Sequence, residues 1–165
     1  MVYDVLLKGN NMYQTLQKLT FVVVLTAVGA FAADNTLGTW KLNMEKSKFS
    51  PSAPVKNLNA MREATDGGLK STVTGEQADG TPVNASYTAK YDGKEYPVTG
   101  SPYDTIAIKQ VNANTLTVVQ TKKDGKYSVT GRTVVSKDGK TMTSNLKGTN
   151  AAGQPYTATM VWDKQ

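Results

Sequence analysis

YSVTGRTVVSKDGKTMTSNLKGTNAAGQPYTATMVW, residues 127–162, contains three segments rich in Thr and Val, separated at Asp138-Gly139 and at Ala152-Gly153. Within them the side chains alternate. Met142, Ser144, Leu146 and Gly148 oppose Thr141, Thr143, Asn145 and Lys147, and Tyr156, Ala158, Met160 and Trp162 oppose Thr157, Thr159 and Val161. A period of two with one apolar side is that of an antiparallel strand wet on one face and buried on the other. Asp-Gly tolerates the positive φ that tight hairpins need.

The same rhythm runs back toward the N-terminus. Turn signals stand at Asp66-Gly67-Gly68, Asp79-Gly80, Asp92-Gly93, Asn112-Ala113-Asn114 and Asp124-Gly125. Between them Val83, Ala85, Tyr87, Ala89 and Tyr91 again share one side. Strands are expected near 37–43, 57–65, 69–77, 83–91, 94–99, 103–112, 115–122, 127–136, 141–149 and 155–163. The fold class is therefore all-β, an antiparallel up-and-down meander of 8 to 10 strands. Closure into a barrel removes its exposed edges most economically, and a two-sheet sandwich satisfies the same alternation. One segment departs from the rhythm. Met44 to Lys56, with Pro51 and Pro54, is expected as a long loop across one end, with at most a helical turn near 45–49. Gly75, Gly131 and Gly148, inside strands, are expected at bulges or bends.

At the N-terminus, Leu19 to Phe31 is an apolar run preceded by Lys18 and followed by Ala30-Phe31-Ala32, the pattern of a cleaved secretory signal. Residues 1–32 are assigned to that signal, with Met12 as an alternative start because Asp4 is foreign to such a leader. The run is too short for a bilayer span, so no stable membrane anchor is expected. Residues 33–165 remain as one domain, long enough to bury its own core, exported to the periplasm or medium and expected to be monomeric. The chain has neither Cys nor His. That excludes disulfides, thiol nucleophiles, imidazole acid–base work and His- or Cys-ligated metals.

GTWKL at 38–42 resembles the opening of the calycin superfamily, the lipocalins and the fatty-acid-binding proteins. The resemblance implies a calycin-like barrel with Trp40 as a structural plug across one end. The chain is also similar to a group of uncharacterised secreted bacterial lipocalin-like proteins through GTWKLN (38–43), KSKF (46–49), YDGKEYPVTG (91–100), VVSKDGKTMT (134–143) and KGT followed by GQP (147–155). Two features depart from the fatty-acid-binding pattern. Met160 and Trp162 stand where that family places an Arg-x-Tyr pair for a carboxylate, and the segment 44–56 is too short for its two-helix lid.

Small residues on the apolar faces (Ala85, Ala89, Ser144, Gly148, Ala158) imply interior space. Tyr87, Tyr91, Tyr127, Met142, Tyr156, Met160 and Trp162 would then surround a small apolar or amphipathic ligand. The same small residues could instead oppose large partners in a solid barrel. Arg132, one of two arginines, falls outside by strict alternation. A bulge at Gly131 would turn it inward as an anion anchor. Loops 44–56, 78–82, 100–102, 123–126 and 150–154 should share one end, where Lys46, Lys48, Lys56, Lys122, Lys123 and Lys126 would make a slightly basic mouth favouring anionic ligands or envelope components. Lysines guarding strand ends explain the same residues. No spacing pairs Glu63, Glu76 or Glu95 on a buried face, no cofactor is implied, and no aromatic-basic interleaving suits nucleic acid. The expectation is an exported, non-enzymatic binding barrel; the alternative is a solid barrel acting as an envelope or surface interaction module.

Overall fold

The computed structural model describes residues 33–165; the expected signal segment, 1–32, lies outside the described residues. Ten strands follow one another: β1 (Gly38–Ser50), β2 (Val55–Thr65), β3 (Gly68–Gln77), β4 (Pro82–Lys90), β5 (Asp92–Thr99), β6 (Thr105–Asn112), β7 (Thr115–Thr121), β8 (Ser128–Val135), β9 (Thr141–Thr149) and β10 (Pro155–Lys164). Each pairs antiparallel with the next, and β10 pairs with β1, from Trp40 opposite Lys164 to Ser50 opposite Thr157. The sheet is a closed barrel rather than a sandwich, which would leave β1 and β10 unpaired.

The segment expected as a long loop is mostly strand. Residues 44–50 are the second half of β1, and only 51–54 connect it to β2. The register shows why the pattern was obscured. Asn43 faces Val161 and Lys48 faces Thr159, so β1 carries extra residues in a bulge that breaks the alternation. Ser47 holds the bulge: its Oγ accepts from the Val161 N–H at 3.0 Å and donates to the Asn43 carbonyl at 2.6 Å. Beyond the bulge Phe49 returns to the buried side opposite Ala158, and Pro51 ends the strand.

Bulges do not occur at the glycines that suggested them. The ladders run in unbroken register through Gly75, Gly131 and Gly148. At Gly148 the backbones come unusually close, and an added Cβ would stand 2.0 Å from the Ser128 carbonyl oxygen. Gly148→Ala is therefore expected to force β8 and β9 apart and cost about 1–3 kcal/mol, measurable by urea denaturation.

Because connections alternate between ends, 51–54, 78–81, 100–104, 122–127 and 150–154 gather at one end. The Ala78 N–H donates to the Pro54 carbonyl at 3.0 Å, and the Lys123 N–H donates to Asp104 Oδ1 at 3.0 Å. The opposite end is shut by residues 33–37. The Asn35 N–H donates to the Ala113 carbonyl at 2.8 Å, and Tyr91 donates its hydroxyl to Asp34. Trp40, with no exposed surface, donates Nε1–H to the Thr36 carbonyl at 2.9 Å and packs with Leu42, Leu58, Ala60, Val135, Met142 and Trp162. A second cluster of Leu69, Ala89, Val98, Ile106, Ile108 and Leu116 forms part of the wall.

Candidate functional site

The barrel is hollow. Small inward side chains on β2, β3, β4 and β9, namely Ala60, Ser71, Ala85 and Ser144, leave a cavity of about 550 Å³, within the roughly 300–1,000 Å³ of small-molecule sites. Pro54, Gln77, Gly100, Ser101 and Pro102 border it, which places its mouth at the end opposite Trp40. Of the small residues expected to make space, Ala85 and Ser144 do so. Ala89 packs into the wall cluster, Ala158 packs beside Phe49 and Val129, and Gly148 serves the close approach of β8 and β9.

Tyrosines dominate the upper walls. Tyr103 and Tyr127 stack with ring centroids 5.4 Å apart at 29°. Gln120 joins them: its Nε2–H donates to the Tyr103 oxygen at 3.2 Å, and Tyr127 donates to its Oε1 at 3.1 Å. Tyr87 and Tyr156 line the cavity beside them. Burial pushes the Tyr103, Tyr127 and Tyr156 phenols up; at Tyr91 burial acts first and the bond to Asp34 adds to it.

A consequence for stability follows. A phenol with a raised folded pKa contributes stability that is fully present below its unfolded value and lost as pH rises through the folded one. Unfolding titrations are therefore expected to show flat tyrosine-linked stability up to about pH 10 and a decline above it. A decline tracking tyrosine ionisation at lower pH would contradict this placement of the phenols.

The floor is built differently. Leu58, Ala60 and Arg62 share the inward face of β2, which carries a guanidinium into the barrel. Arg62 Nη1 lies 3.3 Å from Met142 Sδ, a weak acceptor, and Arg62 Nε is buried without a hydrogen-bond partner. Among the described residues no carboxylate forms an ion pair with Arg62. Ser71 Oγ and Trp162 Nε1 are likewise buried and unpartnered, and both residues line the same cavity. Each group left so costs about 1–3 kcal/mol.

Of the residues expected at the site, Tyr87, Tyr127, Tyr156, Met160 and Trp162 line the cavity. Tyr91 and Met142 do not. Tyr91 is held by Asp34 at the closed end, and Met142, fully buried, lies beneath Arg62. Arg132 is exposed, which corrects its assignment as an interior anchor. Strict alternation holds through β8, with Val129, Gly131, Thr133 and Val135 inward. Gly131 is small because Leu146 Cδ2 stands 2.3 Å from where a Cβ would be, not because the strand bulges. Residues outside the expected set include Arg62, Ser71, Tyr103 and Gln120; for Arg62 the signal was present in the alternation Leu58, Ala60, Arg62.

The lysines are less concentrated than expected. Lys46 Nζ lies 3.5 Å from Asp163, away from the mouth, Lys48 stays near the mouth end of β1, and Lys56 pairs with Glu76 at 2.8 Å. Lys122, Lys123 and Lys126 remain exposed on the 122–127 loop.

No family model and no curated protein matches the chain. Among solved structures the chain is similar to zebrafish ileal bile acid-binding protein complexed with cholic acid, at 11% identity and a TM-score of 0.48, over 80% of this chain and 100% of that one. By its own topology, ten antiparallel strands in sequence order with β10 closing on β1, the chain is a closed up-and-down β-barrel.

Proposed function

We propose that this protein is an exported, monomeric binding protein that holds one small apolar or amphipathic molecule inside its barrel and carries out no turnover. The observation that carries the reading is the cavity of about 550 Å³, open at one end and walled by Tyr87, Tyr103, Tyr127 and Tyr156. A surface module with a solid barrel would have no reason to leave that volume empty, since unfilled interior forfeits packing energy. The hollow interior therefore favours the carrier over the interaction module. Export rests on the N-terminal apolar run and its small-residue cleavage pattern.

Titration with the neutral fluorophore N-phenylnaphthylamine tests the reading. Saturable one-site enhancement, with energy transfer from Trp162 in the cavity wall and displacement by apolar or amphipathic competitors, is expected. Failure of the fluorophore and of a lipid and aromatic panel to bind would overturn it.

A further inference from the structure

We infer that Asp66 is a site of spontaneous main-chain isomerisation, converting to isoaspartate in the folded protein ahead of every other Asp-Gly pair. The site lies outside the closed end of the barrel and is independent of the cavity and of the carrier reading.

Aspartate followed by glycine carries a latent reaction. The glycine nitrogen attacks the aspartyl Cγ; a C–N bond forms, the Cγ–O bond breaks, and the oxygen leaves as water with the amide proton and the carboxyl proton. The resulting five-membered succinimide then takes up one water. Opening at Cγ restores aspartate, and opening at the former main-chain carbonyl leaves the chain running through Cβ and Cγ. Mass is unchanged and no redox partner is needed, and glycine, lacking a Cβ, hinders the attack least. Two contacts oppose it. One is a hydrogen bond that holds the carboxylate away from the next nitrogen, and the other keeps that nitrogen's proton on an acceptor.

The chain has five Asp-Gly pairs, each where one strand gives way to the next. Four carry at least one of those contacts. Asp79 Oδ1 accepts from the Thr81 N–H at 2.9 Å, Asp92 Oδ1 from the Lys94 N–H at 3.0 Å and Asp138 Oδ1 from the Lys140 N–H at 3.1 Å. Hydroxyls add to two of them: Tyr96 donates to Asp92 Oδ2 at 3.1 Å and Ser136 to Asp138 Oδ1 at 2.6 Å. These bonds, led by the Thr81 and Lys94 N–H groups and the Ser136 hydroxyl, hold the three carboxyls below the usual carboxylate range, which disfavours the protonated acid that must lose water. The Gly80, Gly125 and Gly139 N–H groups donate to the carbonyls of Gln77, Lys122 and Ser136 at 3.0, 3.2 and 2.9 Å.

Asp66-Gly67 has neither restraint. The Asp66 side chain is 88% exposed, with Lys90 Nζ 3.8 Å away in a surface pair that restrains it little. Among the described residues the Gly67 N–H meets no acceptor, and nothing lies within 4 Å of where a Gly67 Cβ would be, so the ring has room to close. Conversion matters because the turn is seated closely on its neighbour. The Tyr91 N–H donates to the Gly67 carbonyl at 2.9 Å, and Gly68 approaches Ala89 so nearly that an added Cβ would stand 2.0 Å from its carbonyl oxygen. An extra main-chain carbon at 66 displaces Gly67 from Tyr91, the residue whose hydroxyl holds Asp34.

The experiment stores the purified protein in mild acid, well below its Tm, and follows each pair by peptide mass spectrometry. Isoaspartate is read from lost cleavage by a protease that cuts before aspartate and from fragmentation that marks the rearranged chain. The urea-unfolded chain is the reference, in which all five pairs are expected to convert at similar rates. In the folded protein Asp66 is expected to keep a rate near its unfolded one, while Asp79, Asp92 and Asp138 fall at least about tenfold below theirs and Asp124 lies between. Asp66→Glu, which would need a six-membered ring, is expected to silence that turn and leave the others unchanged. In the modified fraction the Tyr91 amide is expected to exchange with solvent faster, and the Val129 amide of β8 is not. An Asp66 that converts no faster than Asp79, Asp92 and Asp138 in the folded protein would overturn the site, and an unmoved Tyr91 amide would overturn its coupling to the closed end.

Discussion

Ala85→Phe is expected to reduce N-phenylnaphthylamine affinity by at least about 100-fold, close to 3 kcal/mol, while the barrel still folds. Ala85 lies on β4 with its side chain inward, opposite Val73 of β3, and both line the cavity. A phenyl ring there enters the space beside Tyr87 and Gly100 that a ligand would use. Overpacking normally destabilises because the new atoms displace packed neighbours. Here they meet empty volume, so stability is expected to change by less than about 1 kcal/mol. The measurement pairs the probe titration with urea denaturation of the same sample. Undiminished binding in a folded variant would place the ligand outside the barrel.

The other large effect is on stability. Trp40→Ala is expected to cost about 3–5 kcal/mol and lower Tm by on the order of 10–20 °C. Trp40 is completely buried, and its ring fills the closed end beneath the cavity. Lys164 Nζ lies 5.1 Å from the ring centroid on the outside, which adds a cation–π contribution. The indole N–H also holds the Thr36 carbonyl, and Thr36 is itself fully buried. Loss of the ring therefore opens a cavity and loosens residues 33–37, the strap over that end. Trp40→Phe keeps most of the packing and loses the hydrogen bond, so about 1–2 kcal/mol is expected. A Trp40→Ala protein as stable as the wild type would show that the closed end does not depend on this residue.

The strand count and the meander were legible because each hairpin carries its own local signature, a period of two between turn residues. Closure was not, because the pairing of β1 with β10 joins residues more than a hundred positions apart and leaves no local trace. The first half of β1 was found and the second half was missed, since the bulge between Asn43 and Lys48 shifts the phase by which strands are recognised. The cavity was half legible. Alternation alone places Tyr87, Tyr127, Tyr156, Met160 and Trp162 inward, but how deep each sits depends on stagger between strands, which separates Tyr91 and Met142 from the others. The arginine was misjudged for a simple reason. A glycine beside Arg132 suggested a phase change, whereas the unbroken alternation of Leu58, Ala60 and Arg62 already pointed the other arginine inward. Tyr103 belongs to a connection and is placed by its stack with Tyr127, a contact between separate hairpins, whereas Gln120 follows Leu116 and Val118 inward along β7.

Native mass spectrometry of the protein recovered from outside the cytoplasm, before and after extraction with organic solvent, tests the central claim most directly. The account predicts a chain beginning at Ala33 that carries one stoichiometric extra mass, lost on extraction and belonging to a small apolar or amphipathic molecule. A mature chain of bare mass that takes up no member of a lipid and aromatic-acid panel would contradict it.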